Sequence, residues 1–192
     1  FTLQAHGFLE AGRALLRSGA RPGDTLYVTG NLGGAGAALK SLLDGDLQIP
    51  DVLRRSLEQP EPRVTPGRLL AGIASSCIDL SDGLAGDLGH ILDASGCGAT
   101  VELERLPLLP ETRAFMQRHD DWQLPLTAGD DYELLFSMPQ SREQALQAVE
   151  PEFNCTVTRI GRIEAEPGLR FVDAAGKRRT PCHAWDHFRD DD

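Results

Sequence analysis

No stretch of this sequence is apolar for long enough to cross a bilayer, which takes roughly 20 residues. Nor does it open with the basic, apolar and small-residue series of a secretory signal. The expectation is a soluble, cytoplasmic protein with no membrane partner. Cysteine is sparse: Cys77, Cys97, Cys155 and Cys182 stand far apart with no CxxC pair. That spacing argues against a disulfide framework and suits a reducing compartment. Clustered basic residues are missing too. Asp and Glu outnumber Lys and Arg 29 to 19, the formal charge is −10, and the longest basic run is Lys177–Arg178–Arg179. A nucleic-acid surface needs concentrated positive charge, so nucleic acid is excluded as a partner. Small anionic ligands are not excluded, because divalent cations and local groups can supply the positive field.

What is present is ordinary globular material, 41% hydrophobic and 25% charged. Its 192 residues suffice for one sizeable domain, or one domain with a piece of another. Arg21–Pro22–Gly23–Asp24 predicts a turn leading into a strand at Thr25–Thr29. The glycine loop Gly30–Gly36 then feeds a short helix through Leu43. It lacks both the Gly-Lys-Ser/Thr ending and the GxGxxG spacing, so it reads as a strand-to-helix turn rather than a phosphate loop. Helices are predicted at 51–58, 67–74, 83–94 and 111–118, and strands at 76–79, 98–103, 132–138, 154–163 and 168–173. Ser141 and Gln144 have the spacing of a capping box for a helix through Val149. Alternating strands and helices of this kind predict a layered α/β or α+β domain.

Three segments carry candidate chemistry. In Ile78–Asp79–Leu80–Ser81–Asp82–Gly83–Leu84, two carboxylates flank a hydroxyl where a strand hands over to a helix. Such a turn can present oxygens to hard divalent cations, and the helix start favours phosphate. Equally, Ser81 or Asp82 can be an N-cap and Asp79 a turn residue. The second segment, Thr127–Ala128–Gly129–Asp130–Asp131–Tyr132–Glu133, sets adjacent carboxylates at the entry to an apolar strand. Carboxylates there are costly unless they find cations or donors; otherwise they are solvated turn residues. The third is Trp185–Asp186–His187–Phe188, where Trp185 either stacks on a flat ligand or anchors core. Cys182, His183 and His187 hint at zinc, but structural zinc wants four ligands at tight spacing, so no zinc site is expected.

Together, and in this order and spacing, the three segments resemble the thiamine-monophosphate kinase family. The stretch from Gly12 to Asp24, which includes Arg17, and Asp87–Leu88–Gly89–His90–Ile91 share the resemblance, which covers essentially the whole chain. It implies an α+β fold: a layered mixed β-sheet packed with helices, like the C-terminal domain of the aminoimidazole-ribonucleotide-synthetase superfamily. It also implies phosphorylation of thiamine monophosphate to thiamine diphosphate by ATP, with Mg2+. Carried over position by position, Asp79 and Asp82 would bind magnesium, and Ser81 and Arg17 would contact ATP. Asp130 and Trp185 would contact the substrate; the family usually has Glu where Asp130 stands. Arg63 receives no role.

The chain opens at Phe1, inside an apolar segment and without methionine. Residues 1–20 are therefore expected to be a remnant and linker from an N-terminal ATP-binding domain, and 21–192 a C-terminal α/β domain. The family's homodimer forms through that N-terminal domain, so this fragment alone is expected to be inactive. Two alternatives stand beside this reading. One is another ATP-dependent enzyme of the superfamily, acting on a purine intermediate, selenide or a carbamoyl group. The other is a non-catalytic ligand-binding module whose acidic turn only caps a helix.

Overall fold

The computed structural model describes residues 2, 4, 6–46 and 48–180. Its strands are β1 (Thr25–Thr29), β2 (Ser76–Asp79), β3 (Gly98–Glu102), β4 (Leu134–Met138), β5 (Val157–Glu164), β6 (Gly168–Val172) and β7 (Arg178–Arg179). Its helices are α1 (Gly34–Leu43), α2 (Asp51–Glu58), α3 (Val64–Leu70), α4 (Leu84–Ser95), α5 (Pro110–His119), α6 (Leu124–Thr127) and α7 (Glu143–Val149). The strands form one mixed sheet in the order β2-β4-β1-β5-β3-β6-β7. Every pairing is antiparallel except β3 with β6. The expected α+β class and mixed sheet are what the chain adopts.

Side-chain alternation along the strands divides the core into layers. Leu26, Val28, Ile78, Leu135 and Ile160 face one way and pack with Leu84, Leu88, Ile91 and Leu92 of α4. Tyr27, Cys77, Phe136 and Met138 face the other way, against Leu70 of α3 and Leu146 of α7. Tyr27 and Phe136 are direct cross-strand partners, and their rings stack 5.4 Å apart. A third cluster joins Ala37 and Ala38 of α1 to Leu53, Phe115 and Leu124, which fixes α1 to the helical end of the domain.

The Arg21–Asp24 turn forms as expected: the Asp24 amide donates to the Arg21 carbonyl at 2.9 Å, with Gly23 at φ 93°. Other boundaries differ from the sequence reading for local reasons. α3 lies at Val64–Leu70 rather than 67–74, because Pro66 is tolerated in a first helical turn and Gly72 adopts φ 90° just past the end. β4 begins at Leu134 rather than 132, since Tyr132 is left-handed at φ 50°. The capping box at Ser141 does not form. Ser141 lies in a 3-10 turn, and α7 is capped at Arg142 with no side-chain hydrogen bond.

Candidate active site

The acidic turn hangs from the end of β2. Ile78, Leu80 and Leu84 are buried and hold its backbone down, while Asp79, on the alternate side, is exposed. Beyond the strand, pairing continues into the second acidic segment. The Leu80 amide donates to the Glu133 carbonyl at 2.8 Å, the Tyr132 amide to the Leu80 carbonyl at 2.8 Å, and the Asp130 amide to the Ser81 carbonyl at 2.9 Å. Gly129 permits this approach: a Cβ there would sit 2.2 Å from the Ser81 carbonyl oxygen. The structure thus brings Asp79, Ser81, Asp82 and Asp130 together, though some 50 residues of chain separate the two segments.

The turn itself is cinched from the helix that follows. Asp87, buried in the first turn of α4, accepts the Ser81 and Asp82 amides at 3.0 and 3.1 Å. Those two amides are therefore occupied by the protein's own carboxylate rather than turned to a phosphate. The cap position itself is neither Ser81 nor Asp82. The N-cap is Gly83, at φ 101°, without a side-chain cap hydrogen bond. A Cβ on Gly83 would meet the Leu126 carbonyl oxygen at 2.9 Å. Burial pushes the Asp87 carboxyl above its ordinary pKa, and the two amides only partly offset that.

The second segment is strained. Asp130 and Tyr132 both have positive φ, 66° and 50°, a conformation that costs of order 1–3 kcal/mol for a non-glycine residue. The Tyr132 hydroxyl donates to Asp130 Oδ1 at 3.0 Å. That hydrogen bond, with the nearby charges of Asp130, Asp79 and Asp82, raises the phenol's pKa. Asp131 points the other way and accepts the Gly33 amide at 2.8 and 3.0 Å, at the start of α1. Burial, and then the neighbouring charge of Glu133, push its carboxyl up to about 7 against the pull of those amides. The glycine loop is thus closed by an aspartate, in keeping with a structural turn.

Glu133, also buried, receives Arg63 through Nε at 2.6 Å and through a terminal nitrogen at 2.7 Å, with the Thr29 hydroxyl donating at 2.7 Å. This fork-to-fork pair is the role of Arg63, raising the guanidinium's pKa further. Sequence reasoning singled out none of Asp87, Asp131, Glu133 or Arg63 for a role. The available signal was the expense of carboxylates at an apolar strand, which said that donors must exist without saying which.

A cavity of about 440 Å³ opens between the two acidic segments and α1. Ser81, Asp82 and residues 127–130 form one side; Ala35, Gly36, Leu39, Lys40 and Leu43 form the other. Its size suits a small-molecule ligand. Larger clefts, of about 520 and 640 Å³, are lined by no residue of either acidic segment. Arg17 is not at this cavity. It is exposed; its carbonyl accepts from Ser95 at 3.4 Å, and the carbonyl of the preceding Leu16 accepts the Cys77 amide at 2.8 Å, which sets this stretch beside β2, the strand that ends at Asp79. Trp185 and the Cys182, His183 and His187 group lie outside the described residues. Among the described residues no group of three or more His, Cys, Asp or Glu is assembled to hold a metal ion. None of their helices is long and apolar enough to cross a membrane.

This fold and site define a class. The chain belongs to the family described as AIR synthase related protein, C-terminal domain, which matches residues 21–174. Within that class its relatives include thiamine-monophosphate kinases. That of Salmonella typhimurium is 42% identical over 197 residues, covering 97% of this chain and 59% of its own length. The crystal structure of thiamine-monophosphate kinase from Stenotrophomonas maltophilia superposes with a TM-score of 0.79 at 36% identity, over 85% of this chain and 54% of that one. AaThiL complexed with AMPPCP and TMP gives 0.76 at 30% identity, over 91% and 54%. The chain thus spans between half and three-fifths of the length of the relatives it matches.

Proposed function

We propose that this chain is the C-terminal part of a thiamine-monophosphate kinase, which transfers the γ-phosphate of ATP to thiamine monophosphate. The observation that carries the proposal is the backbone stitching of Ser81 to Asp130, which sets two acidic segments around one ligand-sized cavity. Residues 21–192 form the C-terminal domain in this reading, and residues 1–20 are the linker from an N-terminal ATP-binding domain. The full-length protein is a cytoplasmic homodimer through that domain, and this part alone is inactive.

Donor and acceptor are both anionic, so their approach must be neutralised. Unit charges ~4 Å apart repel by about 4 kcal/mol at an effective dielectric near 20. Asp79 and Asp82 are hard oxygen donors suited to Mg2+, which takes one or two carboxylates and completes its shell with water and substrate phosphates. Their number here, two rather than a full cage, fits that preference. Bound magnesium would supply charge neutralisation on the transferring group. Ser81 offers its hydroxyl to the nucleotide phosphates, and Arg17 contacts ATP where the nucleotide extends beyond the acidic turn. Asp130, preset in its left-handed conformation, holds the substrate, with Trp185 against the thiamine moiety. The protein's contribution is alignment and electrostatics, which phosphoryl transfer chiefly requires.

Calorimetric titration of the full-length protein with thiamine monophosphate, with and without magnesium, tests this. Expected is magnesium-dependent binding that Asp82→Ala and Asp130→Ala weaken. Binding indifferent to magnesium and to both substitutions would sink the proposal.

A further inference from the structure

We infer that Leu39 and Leu43 of α1 select the ring system of the substrate. The inference rests on the functional reading above, and adds which wall of the cavity takes the organic part of thiamine monophosphate. Leu39 and Leu43 are four residues apart and so share one stripe of the helix. The neighbouring Ala37 and Ala38 are fully buried, whereas Leu39 and Leu43 are 42% and 77% exposed. Single exposed leucines are unremarkable on a protein surface. Two on one stripe, both lining a cavity with Ser81, Asp82 and Asp130, form an apolar wall facing a carboxylate wall.

The cavity is graded along α1. Gly36, in the first turn, is so close to the second acidic segment that a Cβ there would sit 2.3 Å from the Ala128 Cβ. Leu43 lies seven residues further on, about 10 Å along the helix axis. The phosphate of the substrate must lie at the acidic turn to meet the γ-phosphate. Its rings then extend along α1, over Leu39 and Leu43. Thiamine suits such a channel, because its thiazolium is a flat, delocalised cation and its aminopyrimidine a flat, weakly polar ring. Lys40 is the lysine lining this cavity, and its ammonium is bound by Asp121, so its charge is compensated and repels the thiazolium less. A hydrophilic or strongly anionic acceptor gains nothing from this wall.

Steady-state kinetics of the full-length protein test the inference with Leu39→Asn, Leu43→Glu and Leu43→Lys, at exposed positions that tolerate substitution. Leu39→Asn is expected to raise KM for thiamine monophosphate about tenfold, the scale of lost apolar contact in a ligand pocket. Leu43→Lys, which sets a cation against the thiazolium, should raise it more than Leu43→Glu. KM for ATP should stay within twofold of wild type. Variants with unchanged KM for thiamine monophosphate, or with KM for both substrates rising in parallel, overturn the inference while wild-type turnover leaves the functional reading standing. A wild-type protein that does not phosphorylate thiamine monophosphate overturns both.

Discussion

Asp131 and Asp87 do similar work beside the two acidic segments, each closing a loop by accepting backbone amides. The Asp131 carboxyl, raised to about 7, sits well above the ~3.9 of an unfolded aspartate. Between those values the folded protein holds more of this proton than the unfolded chain does. Its contribution to stability is therefore full below pH ~4 and is lost as pH rises through about 7. Asp131→Asn removes the titration but keeps an acceptor for Gly33. Wild type should lose stability relative to this variant from pH 5 to pH 8, measured by urea unfolding; a constant difference across that range would count against the assignment. At Asp87, alanine leaves the Ser81 and Asp82 amides without their acceptor. Asp87→Ala should cost about 1–3 kcal/mol, and Asp87→Asn less, by the same measurement.

Elements meet at Glu133, which touches β1 through Thr29 and the segment before α3 through Arg63, and immediately precedes β4. Removing one partner of a buried ion pair leaves the other charge uncompensated. Glu133→Ala should therefore cost about 3–5 kcal/mol in chemical denaturation. Glu61, which also touches Arg63 but from solvent, is the control: Glu61→Ala should cost under about 1 kcal/mol. An equal effect from both would contradict the buried-pair account. The same region shows what sequence can and cannot reveal. Strands with clear alternation, such as Thr25–Thr29, and helices bounded by glycine, such as Leu84–Ser95, were readable because their causes are local. The four-residue α6 and two-residue β7 were not, being too short to show a period. The Glu133–Arg63 pair spans 70 residues of sequence, and no local signal announces it.

Across the whole molecule, the resemblance read from three short segments agrees with the family to which residues 21–174 belong. Part of the candidate site was legible. Ser81, Asp82 and Asp130 were named from the sequence and line one cavity, with Asp79 at the end of β2 before it, because β2 and β4 are neighbours and their pairing runs on into the two turns. Arg17 was named with them and does not line that cavity; its neighbour Leu16 pairs with Cys77 of β2, a placement only the three-dimensional path of the chain reveals. The Ser81 and Asp82 amides, which precede the helix start where the sequence predicts phosphate binding, are taken by Asp87. The account therefore rests on carboxylate-held charge neutralisation between two phosphates. Its most direct test is formation of thiamine diphosphate from thiamine monophosphate and ATP by the full-length protein, with Asp82→Ala assayed in parallel. The account predicts magnesium-dependent product from wild type and a loss of about a hundredfold in the variant. No thiamine diphosphate from wild type, or an undiminished rate in the variant, would contradict it.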